Sequence, residues 1–264
     1  KVDGQLTDLS SNLNKNCELQ FMDAKSKDGH SVLLHSTAHL MAQAVKRLFP
    51  KTKVTIGPFL ENRFYYDFDV NSPFTEEDLL EIENEMMKIS EENLEISHQV
   101  KSRNEALAFF EKIDESYKVE IINDLDKDET LKVYSQGEFT DLCRGPHVHS
   151  TGQIKHFKIL SSSAAYWRGD EKNQTLQRVY GTSFQNSKDL KKYLQMLEEQ
   201  KKRDHRKIGK ELDLFFFDDE VGPGLPLWTP SGTVLIDELE ALAKEKETAN
   251  GYLRVRTPHL TKGD

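Results

Sequence analysis

Cysteine is scarce: 264 residues contain only Cys17 and Cys143. A disulfide framework is therefore excluded, and two lone thiols suit a reducing compartment, so the expected location is the cytoplasm. No run approaches ~18 apolar residues, which excludes a transmembrane helix and any expected membrane partner. The first thirty residues are too polar for a secretory signal. Internal repeats and low-complexity tracts are also missing. Positive charge is in deficit, with 36 Lys and Arg against 45 Asp and Glu and a formal net charge of −9. Such a chain does not declare itself a nucleic-acid binder, although a net value hides a local basic face. What is present is 36% hydrophobic and 31% charged residues, enough for a packed core, over a length that suggests about two domains.

The chain opens at Lys1 and closes soon after a strand-like run, Tyr252 to Val255; both ends read as cuts in a longer polypeptide. Residues 1–24 hold a short strand pattern and the turn Asp3-Gly4, too few to fold alone. Leu33 to Phe49 reads as a helix stopped by Pro50. Val54 to Val70 is rich in aromatic and β-branched residues and reads as strands joined at Glu61-Asn62. Thr75 with Asp78, and more strictly Ser102 with Glu105, form capping boxes that open helices, with a strand from Leu94 to Val100 between them. Leu131 to Cys143 reads as strands around Gln136-Gly137, and Ile154 to Leu160 and Leu176 to Phe184 as further strands. A long charged helix is expected over about Lys188 to Lys210, then a buried strand at Leu214 to Phe217. A Gly/Pro-rich loop from Gly222 to Pro226 leads to a helix over about Ser231 to Asn250 and a last strand, Leu253 to Arg256, before Pro258. The fold class is α+β.

Chemistry concentrates in two places. His35 and His39 are four apart on a predicted helix, so both imidazoles share one face. Asp141-Leu142-Cys143-Arg144-Gly145-Pro146-His147 packs an acid, a thiol, a guanidinium and an imidazole into seven residues on a turn. A lone His pair at this spacing carries little weight, and the metalloprotease pattern H-E-x-x-H is absent because position 36 is Ser. The second cluster raises the significance of the first: His35, His39, Cys143 and His147 have the ligand types of a tetrahedral zinc site. Two chemistries stay open. A zinc with a free position could activate water, or the imidazoles, Asp141 and a nearby Lys could position water without metal.

Taken with their order, these motifs resemble a known family. His35 to His39, Asp141 to His147, Tyr166-Trp167-Arg168-Gly169-Asp170 and Leu176 to Phe184 are similar to the editing domain of bacterial threonyl-tRNA synthetases. Arg203-Asp204-His205-Arg206-Lys207-Ile208-Gly209 resembles the linker to the catalytic domain of that family. Gly222 to Trp228 with the helix after Ser231 resembles the first signature motif of a class II synthetase. Alanyl-tRNA synthetases share the paired His and Cys/His motifs but not this linker and class II start. The resemblance spans essentially the whole chain and implies four parts. They are the end of a β-grasp (TGS-like) domain over 1–24, an editing domain over 25–186, a linker helix over 187–210, and the start of a class II antiparallel-sheet catalytic domain over 211–264.

The implied activity is hydrolysis of mischarged seryl-tRNA(Thr), with the acceptor end of tRNA(Thr) as partner and a homodimeric parent enzyme. The parent's ATP-dependent ligation of threonine is not expected of this chain, because ATP, Mg and Zn belong to a synthetic site whose key residues lie elsewhere. Carried over by motif, His35, His39, Asp141, Cys143 and His147 form the pocket, with Asp141 accepting from the substrate amine. The family's lysine matches Lys118, and its tyrosine matches Tyr66, with Tyr65 as the alternative. Lys118 and His35 are implied to hold the attacking water while a protein donor stabilises the oxyanion and the tRNA 2′-hydroxyl assists. No metal or other cofactor is expected for editing; if zinc binds, the candidates are His35, His39, Cys143 and His147. Two rivals are a non-catalytic tRNA-binding or oligomerising segment and a zinc-dependent hydrolase of another ester. Elsewhere, Cys17 reads as an ordinary apolar residue. Lys201 to Lys207 reads either as a solvated helix end or as a contact with tRNA phosphates. Trp167 to Asp170 reads as a hairpin or as a wall beside the terminal adenosine. Trp228 and the final helix read as class II core or dimer contact.

Overall fold

The structure, a computed structural model, describes residues 1–257. It is α+β, with every sheet antiparallel. The chain divides into two compact units, Lys1–Tyr193 and the remainder from Leu194. The first unit contains α1 (Lys27–Leu48), β1 (Lys53–Val54), β2 (Phe64–Asp69), α2 (Glu76–Glu92), β3 (Ile96–Lys101), α3 (Arg103–Lys112), α4 (Ser116–Asp124), β4 (Leu131–Gln136), β5 (Phe139–Leu142), β6 (His156–Tyr166) and β7 (Thr175–Phe184). A four-stranded sheet runs β1-β2-β7-β6 and a three-stranded sheet β3-β4-β5.

Helix α1 is the axis of this unit. Ser26 caps it by accepting from Gly29 N–H, Asp28 lies in its first turn, and Lys46 and Arg47 lie in its last, so its dipole is complemented at both ends. It starts six residues before the expected Leu33 because the polar cap precedes the apolar run. From Leu33 to Val45 every residue but His35 is buried. The helix packs with Phe64, Tyr66 and Phe68 of β2, Val179 of β7, and Ile82, Met86 and Ile89 of α2 in one core. Emptying a single aromatic position of this kind costs about 3–5 kcal/mol. Most buried polar groups in the middle of α1 find partners: Thr37 donates to Leu33 O, and Gln43 exchanges hydrogen bonds with Gln136 and Glu138.

Both capping boxes form as the sequence predicts, Thr75 with Asp78 on α2 and Ser102 with Glu105 on α3. The turn at Glu61-Asn62 closes through Leu60 N–H donating to Arg63 O at 2.7 Å. Several elements differ from expectation. Residues 1–24 form only the isolated bridges Val2 to Gln5 and Val2 to Leu19 around the Asp3-Gly4 turn. Strand β6 runs on to Tyr166, well past Leu160. Helix α4 has no sequence signal: Glu115 at its N-cap makes no side-chain cap bond, and its β-branched Val119, Ile121 and Ile122 favour strand.

From Ser187 onward, across the end of the first unit and through the second, the chain also departs from the sequence reading. The charged helix is two helices, α5 (Ser187–Lys202) and α6 (His205–Glu211). Asp204 interrupts it, because its carboxylate accepts from Arg206 N–H and caps α6. The expected buried strand at Leu214 to Phe217 is a two-residue pair, β8 (Phe215–Phe216) with β9 (Leu227–Trp228), and Phe216 and Phe217 are about half exposed. Helix α7 (Pro230–Ala249) is capped by Thr229. Leu253 to Arg256 is not a strand: it has no pairing partner among the described residues, and Leu253 is exposed. Its expected end at Pro258 lies outside the described residues. Among the described residues no helix is long and apolar enough to cross a membrane.

Arg47 ties α1 to Glu85, Glu92 and Glu138. Hydrogen bonds from Arg47 hold the Glu138 carboxyl down at about 2. A carboxyl lowered in the folded state adds stability that is complete above its ordinary range and is lost as pH falls toward 2. Arg47→Met should therefore cost about 1 kcal/mol at pH 7, the size of a partly screened network. It should also flatten the fall in melting temperature between pH 5 and 2. Parallel curves for the two proteins would refute the coupling.

Candidate active site

Four elements converge on one cluster. Helix α1 supplies His35 and His39, one turn apart, with ring centroids at 5.2 Å. Strand β2 supplies Tyr66, helix α4 supplies Lys118, and β5 with the turn after it supplies Asp141, Cys143 and His147. The His147 ring lies 4.5 Å from that of His35 and 4.3 Å from that of His39. All seven predicted site residues thus meet. Tyr65, the alternative to Tyr66, does not join them: it stacks against the Arg178 guanidinium at 4.0 Å and against Tyr180.

The floor of the cluster is a closed polar network. Lys118 Nζ donates to Asp141 Oδ1 at 2.5 Å, to Tyr66 Oη at 3.1 Å and to the Thr55 carbonyl. An ammonium has three protons, so none is free for a ligand. Tyr66 Oη donates to Asp141 Oδ2 at 2.6 Å, Leu142 N–H donates to Oδ1 at 2.8 Å, and His39 Nε2 stands 3.6 Å from Oδ2. Both members of the ion pair are 2% exposed. In this arrangement Lys118 and Asp141 satisfy each other and tie down the Tyr66 hydroxyl, with the His39 ring alongside.

The rim is different. His35 and Cys143 are only partly buried, whereas His39 and His147 are buried. Cys143 Sγ lies 3.1 Å from His35 Nε2 and 3.3 Å from His147 Nε2 and accepts from Gly145 N–H at 3.2 Å. Ser36 orients the His147 ring. With its proton on the Val32 carbonyl, Ser36 Oγ accepts from Val148 N–H and from His147 Nδ1, leaving Nε2 as the acceptor facing Cys143. Burial lowers the pKa of His35 to about 4 and drives those of His39 and His147 well below the ordinary imidazole range. Burial pushes the Cys143 thiol up to about 12. The rings are neutral at physiological pH, and Cys143 is a thiol rather than a nucleophilic thiolate.

His35, His39, Cys143 and His147 each bring a ligating atom, all within 4.8 Å of one another. This donor set fits a tetrahedral zinc ion.

The sequence reading missed Ser36, the Thr55 carbonyl, Tyr134 and Asp8. Ser36 stands between the two histidines and was legible only as the residue that spoils a protease motif. Asp8 sits in a segment read as another domain. The Trp167-Arg168 hairpin acts on the site from behind: Trp167 Nε1 donates to Glu120, and Arg168 pairs with Glu120 and Asp124, pinning α4 and with it Lys118. The basic run Lys201 to Lys207 is partly neutralised by Glu199, Asp204 and Glu211.

Residues 131–180 match the family described as the threonyl and alanyl tRNA synthetase second additional domain. That stretch carries Asp141, Cys143 and His147. Along 99% of its length the chain is 53% identical to a threonine–tRNA ligase of Pelobacter propionicus, covering 41% of that protein. It is 52% identical to threonine–tRNA ligases of Symbiobacterium thermophilum and Carboxydothermus hydrogenoformans, over 98% and 97% of its length, covering 40% of each. The chain thus spans about 40% of the length of the curated relatives it matches.

Removing one member of a buried ion pair strands the other, at about 3–5 kcal/mol. Lys118→Met should cost that much by chemical denaturation. Adding Asp141→Leu to it should restore part of the loss. A single variant as stable as the parent would show that the pair does not carry the floor of the cluster.

Proposed function

The chain is a relative of the threonine–tRNA ligases along essentially its whole length, and on that premise we propose that it hydrolyses the ester of mischarged seryl-tRNA(Thr). The observation that carries this reading is the two-level cluster: a charge-balanced, fully bonded floor beneath a neutral rim of His35, Cys143 and His147. The need for such a step is physical. Serine lacks one methyl of threonine, and a difference of that size supplies only about 1–3 kcal/mol of discrimination. A second site that admits the smaller residue and excludes the larger one multiplies the selectivity.

The rim suits water attack on an ester. The half-buried His35 ring, whose Nε2 is engaged with Cys143 Sγ at 3.1 Å, lies beside the attacking water and helps to turn the water's lone pair toward the ester carbonyl. A ring whose basicity burial has reduced orients water better than it takes a proton. The proton therefore passes from water through the vicinal hydroxyl of the terminal ribose to the leaving oxygen, giving free serine and a free 3′ end. The Gly145 amide donates to Cys143 Sγ, so thiol and turn move as one wall of the pocket. The acceptor end of tRNA(Thr) is the partner, and dimerisation of the parent enzyme and a cytoplasmic location belong to the same reading.

One observation favours a second reading, a zinc-dependent hydrolase: the four donor atoms lie within 4.8 Å of one another. Deacylation assays separate the two. The editing reading expects rapid loss of serine from seryl-tRNA(Thr), sparing of threonyl-tRNA(Thr), and a roughly 100-fold loss in His35→Ala, the size of a lost positioning group. No hydrolysis at saturating protein with tRNA bound would instead indicate a non-catalytic segment. Exhaustive treatment with a chelator should leave the rate unchanged; loss of activity restored by zinc would establish the metal-dependent route.

A further inference from the structure

We propose that Asp8, in the N-terminal segment, is a positioning residue for the catalytic cluster, holding the turn that carries His147; the proposal rests on the site reading given above. Asp8 is 139 residues from His147 in sequence, yet its side chain is only 8% exposed. Its Oδ1 accepts from the His147 backbone N–H at 3.0 Å, and its Oδ2 accepts from Tyr134 Oη at 2.7 Å. Tyr134 in turn packs edge-on against the His147 ring at a centroid distance of 4.5 Å. Its hydroxyl also fills the space that a Cβ on Gly145 would need. One carboxylate therefore grips the turn twice, once through the backbone and once through the ring that braces the imidazole.

Backbone bonds anchor only the ends of the turn, where Cys143 N–H donates to Lys132 O and His149 O accepts from Ile96 N–H; residues 144–148 between them pair with no strand. Its backbone donors end on side chains instead: Gly145 N–H on Cys143 Sγ, His147 N–H on Asp8 and Val148 N–H on Ser36 Oγ. Pro146 has no N–H to offer. A cavity of about 340 Å³, lined by Leu6, Asp8, Pro146 and His147 among others, lies behind the turn. Packing thus leaves room for displacement that the hydrogen bonds prevent. His98 closes the carboxylate's surroundings, with Nδ1 3.7 Å from Oδ2. A displacement of about 1 Å at a positioned group is enough to cost 100-fold in rate.

The test compares Asp8→Ala, Asp8→Asn and Tyr134→Phe with the parent chain. It uses seryl-tRNA(Thr) hydrolysis and the imidazole resonances of protein labelled with ¹⁵N-histidine. The expected result is a fall in kcat of about tenfold or more in Asp8→Ala with KM within twofold. Asp8→Asn, which keeps one acceptor, should fall between Asp8→Ala and the parent. The His147 signals should move while those of His30, which stacks on Phe184, stay fixed. If Asp8→Ala does not fold, the same readouts on Asp8→Asn and Tyr134→Phe decide. Folded variants with unmoved His147 signals and parental kcat overturn the proposal, as does a change confined to KM. Should the parent chain itself fail to hydrolyse the ester, the hydrolase reading falls separately, and the His147 signals alone decide the positioning role.

Discussion

The ion pair between Lys118 and Asp141 is the constraint on which the rest of the first unit depends. It joins α4 to β5, and through Tyr66 and the Thr55 carbonyl it joins both to the four-stranded sheet. Burying two charges costs several kcal/mol each unless every proton and lone pair is matched. Here the ammonium spends all three protons within the network, and the carboxylate accepts from Lys118, Tyr66 and its own neighbour's amide. The arrangement is unforgiving of small shifts, so it demands that α4 sit in one place. Trp167 and Arg168 meet that demand from the far side of the helix.

Helix α1 faces the opposite problem. It is buried along most of its length and still presents Ser36, His39 and Gln43 to the interior. Ser36 and Gln43 are satisfied by elements distant in sequence and His39 faces the Asp141 carboxylate, so the helix cannot rotate or slide without stranding a polar group. This explains why two histidines on it can serve as fixed points. The same burial keeps their rings neutral, leaving lone pairs available where a solvated pair so close together would repel in the charged state.

Legibility from sequence followed the range of the interaction. Local signals read true: the capping boxes at Thr75 and Ser102, the turn at Glu61-Asn62, and the Gln136-Gly137 hairpin depend on residues within a few positions of each other. The His35/His39 spacing placed both rings on one face for the same reason. Helix α4 was invisible because tertiary fastening, not propensity or a cap, holds it. Asp204 misled because an acidic residue in a charged run looks like helix surface until its carboxylate turns back to cap the next segment. Strand expectations in the second unit failed where pairing was short or absent, at Phe216 and at Leu253. At the site, the residue types were legible and the division of labour was not. Nothing local shows that the Lys118 ammonium bonds to Asp141, Tyr66 and the Thr55 carbonyl, all distant in sequence.

That layering also bears on how the cluster could serve the hydrolysis proposed for it. In the floor the charges of Lys118 and Asp141 cancel, and the side chains of the rim itself, His35, Cys143 and His147, are uncharged. The dipoles there are oriented by Ser36, by Gly145 and by the Asp8 carboxylate behind the turn. Preorganised dipoles cost no reorganisation when charge develops on a reacting carbonyl. A site with its ions at the rim would bind water and counter-ions there and would have to shed them for each ligand. Placing the ions underneath, where they shape the rim without touching what enters it, makes selectivity a matter of shape and hydrogen bonding. Those are the properties by which a single methyl group can be told from a hydrogen.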